Sequence, residues 1–191
     1  MSKKLLLSCL LSLFCMANII AGNPVSVKSG KISALKTTSK AIMDVDYSEA
    51  KVGKIPLEEY LIGRGEDFVR DWPQETNTAA SYFKERFNKK SKGMKLTTDE
   101  TIASYKLLIK VKTLDMGNAG SFFVTMAIGG SSKAGGVIMC GTVEIIDLAT
   151  KQVLGVLYVD EVKGGGAPQD AVRMGLMFSE LATKICKLKD K

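Results

Sequence analysis

Apolar and polar residues alternate along several segments of the chain, and such alternation is typical of β-strands with one buried face. The clearest segment is 104–114, where Tyr105, Leu107, Ile109 and Val111 share one face. Lysines occupy most of the other face, which indicates a solvated side of a sheet. The predicted strands are 41–47, 104–114, 121–128, 136–147 and 152–162, with a short additional strand at 94–97.

Three other segments place apolar residues at the three- and four-residue spacing of amphipathic helices. These segments are 57–72, 77–90 and 169–188. Pro73 is expected to break or kink the helical region between the first two. In the last helix, small residues flank the apolar stripe, and we expect them to let this helix lie close to the sheet; they are Gly175, Ser179, Ala182 and Cys186.

The order of these elements is a strand, helices, a run of strands and a terminal helix. This order predicts an α+β fold in which helices cover one face of a mostly antiparallel sheet of about five strands. The turn around the sequence LATK joins strands 136–147 and 152–162 into a predicted hairpin. Residues 41–191 are expected to form a single domain, and the polar, lysine-rich residues 23–40 are expected to form a flexible lead segment.

Residues 1–22 have the parts of a secretory signal peptide. Two lysines precede an apolar stretch at 5–20, and Ala21 and Gly22 supply small residues for cleavage. A membrane anchor usually needs roughly 20 apolar residues, and this stretch is shorter and contains polar residues. Acylation of Cys9 is not expected, because too few residues precede it to form a signal. We expect export to the periplasm or to the outer membrane of a Gram-negative bacterium.

The composition removes several classes of chemistry. The chain has no histidine, which excludes Ser-His-Asp and Cys-His catalysis and imidazole metal ligands. Its net charge is +7, yet only four of its 27 basic residues are arginine, the side chain on which nucleic-acid recognition relies most. Aromatic residues make up 7% of the chain, which is few for a base-stacking surface. We expect no nucleic-acid partner, no cofactor and no metal site.

Two cysteines, Cys140 and Cys186, follow the predicted signal peptide. In an oxidising compartment they are candidates for one disulfide. Cysteine is also a common small core residue, and both lie among apolar neighbours. The sequence leaves both interpretations open, because it does not fix the distance between the two Cα atoms.

Two glycine-rich loops are candidate binding sites. The first is either a mobile inter-strand loop or a contact loop for a partner or a membrane surface, and its residues are Gly129, Gly130, Ser131, Ser132, Lys133, Gly135 and Gly136. The second precedes the last helix and is either a flexible linker or an anion site formed by backbone amides and the helix dipole. Its residues are Lys163, Gly164, Gly165 and Gly166.

Asp44 and Asp46 lie two positions apart on a predicted strand, so both carboxylates emerge on the same face. Such a pair suits a hard cation or general acid–base catalysis. Surface exposure is the simpler interpretation, and no calcium-loop motif accompanies the pair. The sequence therefore gives no catalytic residue, while a hydrolase that uses carboxylates stays an alternative.

The mature sequence resembles known envelope proteins at the level of its pattern. The segments IMDVDYSEAKV, RGEDFVRDW, ASYKLLIKVKTLDMG and GTVEIIDLATKQVL are similar to those of secreted Bacteroidetes proteins without an assigned activity. The element order also resembles the TolB amino-terminal domain and the curli-secretion lipoprotein. The resemblance implies helices layered on a sheet over residues 40–188. The mature start lacks an acylated cysteine, and no apolar membrane hairpin is present, so the resemblance does not imply pore formation.

These observations favour an exported, non-enzymatic binding or assembly domain associated with the cell envelope. The loop at 129–136 and the lysine-bearing face of the sheet are the predicted contact surfaces. The expected partner is another envelope protein, with peripheral contact with the outer membrane. A carboxylate-based hydrolase, or a lysine-rich binder of anionic glycans or lipid headgroups, are the alternatives, and the oligomeric state is left open.

Overall fold

The computed structural model of the protein describes residues 23–189, so the predicted signal peptide lies outside the described residues. Within this range the chain has an α+β fold with eight strands and four helices. The strands are β1 (Val25–Gly30), β2 (Lys40–Asp46), β3 (Lys51–Val52), β4 (Ile55–Pro56), β5 (Lys95–Leu96), β6 (Tyr105–Asp115), β7 (Ile138–Asp147) and β8 (Val153–Lys163). The helices are α1 (Leu57–Arg64), α2 (Glu66–Lys90), α3 (Ala119–Ala127) and α4 (Asp170–Cys186), and short 3-10 helices occupy Ser33–Lys36 and Glu100–Ile102.

All eight strands belong to one mixed sheet, whose main order is β1-β8-β7-β6-β2-β5. The four strands from β1 to β6 in this order are antiparallel neighbours, and β7 and β8 form the predicted hairpin. In contrast, β2 runs parallel to β6, and β5 runs parallel to β2. The α+β class is confirmed. The expectation of about five mostly antiparallel strands was less precise, because the sheet has eight strands, including β1, and three of its strand pairs are parallel.

The alternation in β6 determines which face of the sheet is buried. Leu107, Ile109 and Val111 are fully buried, and Ile109 lies opposite the buried Val143 of β7. The pairing shifts after Val111, and this irregularity keeps Leu114 in the core although it breaks the strict alternation. The lysines of β6 lie on the opposite face, which stays open to solvent.

Helices α2 and α4 pack against each other and bring their apolar residues into the core. Phe83 and Phe87 of α2 are buried and stack with ring centroids 5.7 Å apart. Gly175 of α4 allows the close approach, because a Cβ there would lie 2.8 Å from the ring of Tyr82. Ser179 of α4 accepts a hydrogen bond of 2.9 Å from Arg86. Gly175 and Ser179, predicted to bring α4 close to the sheet, therefore face α2.

Residues 23–40, expected to be a flexible lead segment, are instead part of the folded domain. Strand β1 pairs with β8 at one edge of the sheet, and Val25 is buried there. Ile32 and Leu35 are also buried, and the carbonyl of Leu35 accepts a hydrogen bond from the amide of Met94. The domain therefore begins well before residue 41.

Two further expectations from the pattern were wrong. Helix α2 continues through Pro73, and the helical region breaks earlier, at Gly65, whose φ of 112° is outside the helical range. Pro73 has no backbone N–H, so the carbonyl of Val69, four residues earlier, lacks its helical hydrogen-bond donor. Val69 is exposed, and water can take the place of that donor. Residues 121–128, predicted to be a strand, belong mostly to helix α3.

Candidate functional site

Helix α3 lies in the connection between β6 and β7 and projects from one end of the sheet. The connection closes at its base, where the amide of Asn118 donates a hydrogen bond of 3.1 Å to the carbonyl of Gly135. Gly117 and Gly135 both have positive φ, and a Cβ on Gly117 would lie 2.2 Å from the Gly135 carbonyl oxygen. Glycine is required at this crossing because the two backbone segments touch.

Asn118 determines where α3 begins. Its side-chain oxygen accepts hydrogen bonds from the amides of Gly120, at 2.7 Å, and Ser121, at 3.3 Å. These bonds satisfy two amides that lack partners in the first turn of a helix, and asparagine is among the preferred residues for this role. The cap therefore selects a helix for a segment whose Phe, Val, Thr and Ile residues favour strands.

The apolar side chains of α3 are turned largely toward solvent. No residue of the helix is buried. Four large apolar side chains within six positions are more than half exposed: Phe123 (56%), Val124 (65%), Met126 (55%) and Ile128 (79%). We refer to these four residues as the apolar patch. Phe122 lies on the inner side of the helix, where a Cβ on Gly166 would come within 2.7 Å of its ring.

The apolar patch lies within a long uncharged stretch. Between Asp115 and Lys133 the sequence contains no charged residue. The only polar side chains in α3 itself are the hydroxyls of Ser121 and Thr125. A helix that is apolar on nearly all sides is normally buried in a protein core or in a membrane, and α3 is not buried in its own domain. The patch is therefore a surface that is suited to binding.

The predicted contact loop directly follows α3, and the structure divides it into two parts. Gly129, Gly130, Ser131, Ser132 and Lys133 are exposed next to the apolar patch. The other two members are less accessible: Gly135 is half-buried and Gly136 is buried. A Cβ on Gly136 would lie 2.3 Å from the carbonyl oxygen of Gly164. These two glycines serve packing, so only the first five residues are available for contact.

The predicted anion site, residues 163–166, is occupied by backbone contacts. The amide of Gly164 donates to the carbonyl of Val137 at 2.9 Å, and the amide of Gly166 donates to that of Ser132 at 2.8 Å. A Cβ on Gly164 would also lie 2.4 Å from the backbone nitrogen of Met177. Because the amides of Gly164 and Gly166 already have acceptors, the loop of Lys163, Gly164, Gly165 and Gly166 lacks the row of free amides that the predicted anion site needs.

Cys140 and Cys186 are both free thiols, so the candidate disulfide is absent. Cys140 lies on β7, where its sulfur is 3.4 Å from the amide nitrogen of Glu161. Cys186 ends α4, and its sulfur lies 4.0 Å from the carbonyl oxygen of Phe87. Burial raises the pKa of Cys186 to about 11, so its thiol stays protonated at neutral pH.

The open face of the sheet carries a shallow groove of about 340 Å³ with mixed charge. Its lysines and carboxylates offset one another, as in the 2.8 Å ion pair between Lys110 and Glu144. The lining residues are Lys28, Ser29, Asp46, Ser48, Glu49, Lys110, Val111, Lys112, Thr142, Glu144 and Val156. A groove with three lysines and three carboxylates does not favour an anionic glycan.

Asp44 and Asp46 each have a separate partner. Asp44 forms an ion pair with Lys106. Asp46 accepts a hydrogen bond of 2.9 Å from the amide of Ser48, and its hydrogen bonds with this serine lower its pKa. A general acid needs a raised pKa, and the hydrogen bonds of Asp46 act in the opposite direction. Within residues 23–189, no group of three or more potential metal ligands is found.

In the part of the chain that the structure describes, no helix has both the length and the apolar character needed to cross a membrane. Helix α3, at nine residues, is among the helices to which this applies.

No protein-family model and no curated protein matches the chain. Among solved structures it is similar to the PelC dodecamer from Paraburkholderia phytofirmans in space group P6, with 12% identity, coverage of 83% of this chain and 96% of that one, and a TM-score of 0.42. It is also similar to the dodecamer of a PelC variant from the same organism in space group C2. The identity is 13%, the match covers 84% of this chain and 97% of that one, and the TM-score is 0.41. Similarity this distant assigns neither a function nor an assembly state to this chain. The resemblance to envelope domains stays a prediction.

The sequence pattern indicated the loop at 129–136 but not the helix that precedes it. One signal was present in the sequence: an asparagine followed by an uncharged, apolar segment between two charged residues, Asp115 and Lys133. The segment is also rich in residues that favour strands. Over only eight positions, hydrophobic spacing does not distinguish a helix from a strand, so the helix was not predicted.

Proposed function

We propose that this protein is an exported binding domain of the cell envelope that attaches to a lipid surface through the apolar patch of α3. The observation that carries the proposal is the exposure of Phe123, Val124 and Met126 in an uncharged helix and of Ile128 directly after it. The proposal keeps the binding role expected from the sequence. It replaces the expected partner, an envelope protein, by the membrane itself.

The energetic support comes from the area that the patch exposes. Full burial of a Val, Ile, Phe or Met side chain stabilises by about 1.5–3 kcal/mol, so four side chains that start more than half exposed contribute roughly 5 kcal/mol together. Their combined apolar area is on the order of 400 Å², which is within the range of patches that are often functional. This gain suits reversible, peripheral attachment.

Two features favour a lipid surface over a protein partner. A stable protein interface buries about 800 Å² on each side, roughly twice the area that the patch offers. The exposed apolar side chains also lie on more than one side of α3, and only Phe122 is turned toward the domain. A bilayer surrounds such a helix on several sides and needs no complementary surface.

Positive charge at the base of α3 adds to this attachment. Lys133 ends the exposed part of the loop, and its ion pair with Glu180 is long, at 3.7 Å, and leaves the lysine side chain about half exposed. Lys163 ends β8 opposite Ile138, the first residue of β7. A lysine close to an anionic lipid surface contributes about 1 kcal/mol. We therefore expect stronger binding to anionic than to zwitterionic vesicles, and the difference should decrease at high salt.

Vesicle flotation of the purified protein tests the proposal. The protein is mixed with phosphatidylcholine vesicles, with or without phosphatidylglycerol, and the fraction that floats is measured. We expect flotation with the anionic vesicles and its loss in the double variant Phe123→Ser/Met126→Ser. The matched control is Ile55→Ser/Ile62→Ser, since these two side chains are 49% and 62% exposed but lie on β4 and α1.

The control variant should float like the unaltered protein. Failure of the unaltered protein to float, or equal loss in both double variants, would overturn the proposal. A different result would assign the patch to a protein contact instead. In that case the unaltered protein does not float, but it self-associates or crosslinks to a protein, and only the Phe123→Ser/Met126→Ser variant loses this association. All four positions are exposed, so circular dichroism should show folded protein in each case.

A further inference from the structure

A second concavity lies near the carboxyl-terminal end of α4, whereas α3 projects near its amino-terminal end. The 17 residues of α4 span about 26 Å, so the two surfaces are well separated. The concavity has a volume of about 320 Å³, which is in the range of small-molecule sites. It is bounded by the 3-10 helix Ser33–Lys36, the end of α2, the turn 91–93 and the end of α4.

The floor of this concavity is apolar. Ile32, Leu35, Phe87 and Ile185 line it, and each is buried within the domain core. Because these residues come from three different elements packed together, the floor is a built surface and not a gap between mobile side chains. Leu188, which follows α4, completes the apolar wall.

The rim of the concavity is basic. Lys36, Lys90 and Lys92 line it, and none of the described lining residues carries a carboxylate. The neighbouring Lys95 is not part of the rim. Its ammonium donates hydrogen bonds of 2.6 Å to the carbonyls of Asn88 and Ser91 at the end of α2. Lys95 thereby offsets the negative end of that helix, which would otherwise weaken the positive potential of the rim.

One glycine maintains the shape of the concavity. A Cβ on Gly93 would lie 2.4 Å from the carbonyl carbon of Lys36, so only glycine lets the turn after α2 approach the 3-10 helix. The amide of Met94 then donates to the carbonyl of Leu35 at 3.2 Å and fixes the two segments together. The lysines are thus held around the apolar floor by backbone packing.

We propose that this concavity binds an anionic amphiphile: an alkyl chain lies on the apolar floor, and a carboxylate or phosphate head group lies between Lys90 and Lys92. The charge of the rim selects an anionic head, and the apolar floor selects a hydrocarbon chain. A fatty acid and a lysophospholipid share this chemistry. The site is independent of the apolar patch and does not rest on the function proposed above.

Cys140 and Cys186, the two free cysteines within residues 23–189, provide the test, because Cys186 lines the concavity and Cys140 does not. Purified protein is labelled with N-ethylmaleimide at pH 9, with and without dodecanoate below its critical micelle concentration, and the labelling of each cysteine is followed by mass spectrometry. An alkaline pH is needed because the pKa of Cys186 is raised to about 11. We expect dodecanoate to slow labelling of Cys186 and to leave labelling of Cys140 unchanged.

Matched variants test the role of the rim. Lys90→Glu/Lys92→Glu changes two exposed side chains, and we expect it to weaken dodecanoate binding by roughly tenfold or more. The control Lys112→Glu adds the same kind of charge on the open face of the sheet and should leave binding unchanged. Dodecanol carries the same chain without the anion, and we expect it to protect Cys186 poorly.

Three results would overturn the proposal: no protection of Cys186 by dodecanoate, equal protection of both cysteines, or equal protection by dodecanol. A parallel titration with lauroyl lysophosphatidylglycerol identifies the source of the amphiphile. Tighter binding of the lysophospholipid assigns the site to a lipid, and tighter binding of dodecanoate assigns it to a free fatty acid. Both results support an anionic amphiphile. The flotation of the Lys90→Glu/Lys92→Glu variant should be unchanged, which separates this site from the apolar patch.

Discussion

The guanidinium of Arg64, at the end of α1, donates a hydrogen bond of 2.9 Å to the carboxylate of Asp170 in the first turn of α4. The other oxygen of Asp170 accepts from Arg173, which is 3% exposed. Arg173 also donates to the carbonyl of Met116, at the start of the connection that leads to α3. One carboxylate therefore joins α1, α4 and the base of the projecting helix.

We predict that Asp170→Asn destabilises the protein by about 3 kcal/mol, because it leaves the buried charge of Arg173 without its anionic partner. The measurement is the free energy of unfolding from urea denaturation followed by circular dichroism. The control is Asp67→Asn, which removes an ion pair to Arg70 in which both side chains are more than two-thirds exposed. This control should cause no measurable change, since exposed pairs contribute little. Equal effects of the two substitutions would contradict the role given to Asp170.

A pair of glycines tests the packing of the loop before α4. We predict that Gly164→Ala costs about 2 kcal/mol, because the added Cβ would lie 2.4 Å from the backbone nitrogen of Met177. Gly63→Ala should instead stabilise by about 0.5–1 kcal/mol, since Gly63 lies in α1 with no atom within 4 Å of the added Cβ. Thermal unfolding of both variants measures the difference. A neutral Gly164→Ala would show that this loop is free to move, as a flexible linker would be.

Tyr47 carries a buried hydroxyl that has no hydrogen-bond partner within the described residues. Its ring packs edge-on against Trp72, with centroids 5.6 Å apart, so Phe fits the same space. We predict that Tyr47→Phe raises the free energy of unfolding by about 1 kcal/mol at pH 7, because it removes an unsatisfied polar group. Urea denaturation at pH 7 measures this change, and a loss of stability would indicate an acceptor that the structure does not provide.

The same substitution alters the response to alkaline pH. Burial raises the pKa of Tyr47 well above its ordinary value of 10.0. Above pH 10 the unfolded chain therefore releases a proton that the native state keeps, and the free energy of unfolding falls as the pH rises. We predict that the advantage of Tyr47→Phe over the unaltered protein grows between pH 9 and pH 11, in about the range where a free phenol titrates. Parallel pH profiles for the two proteins would contradict this prediction.

Asn118 connects the local structure of α3 to the proposed attachment. We predict that Asn118→Ala weakens the helix by about 1 kcal/mol, because two amides of its first turn lose their acceptor. Hydrogen exchange should speed up in α3 while the sheet stays protected, and flotation with anionic vesicles should decrease. Asn118→Asp retains an acceptor at this position and should restore the protection of the helix.

The sheet was largely predictable because its central strands have one buried and one solvated face. The alternation from Tyr105 to Val111 located β6, and the hairpin of β7 and β8 followed from the turn between them. Strand β1 was missed because it is an edge strand in which Val25 alone is buried, and the alternation of Val25 and Val27 with polar residues is too short to mark a strand. The parallel pairing of β2 with β6 depends on a crossover through α1 and α2, which hydrophobic spacing does not specify.

The candidate site was predictable only in part, for a related reason. The periodicity of a sequence reports the face that its own domain buries, and α3 buries no residue in the domain. The loop at 163–166 is the reverse case, because the sequence predicted a binding site there that the structure does not support. Its composition matched an anion-binding loop, but its amides bond to the carbonyls of Val137 and Ser132, and this contact is visible only in three dimensions.

The central claim is that α3 enters a lipid surface, and tryptophan fluorescence tests it most directly. Trp72 is the only tryptophan in the chain, so Trp72→Phe combined with Phe123→Trp places a single reporter in the apolar patch. Ile55→Trp in the same background places an equally exposed reporter on β4. We predict a blue shift of the emission on adding anionic vesicles for the reporter at position 123 and none at position 55. Unchanged emission at position 123, or the same shift at both positions, would contradict the claim.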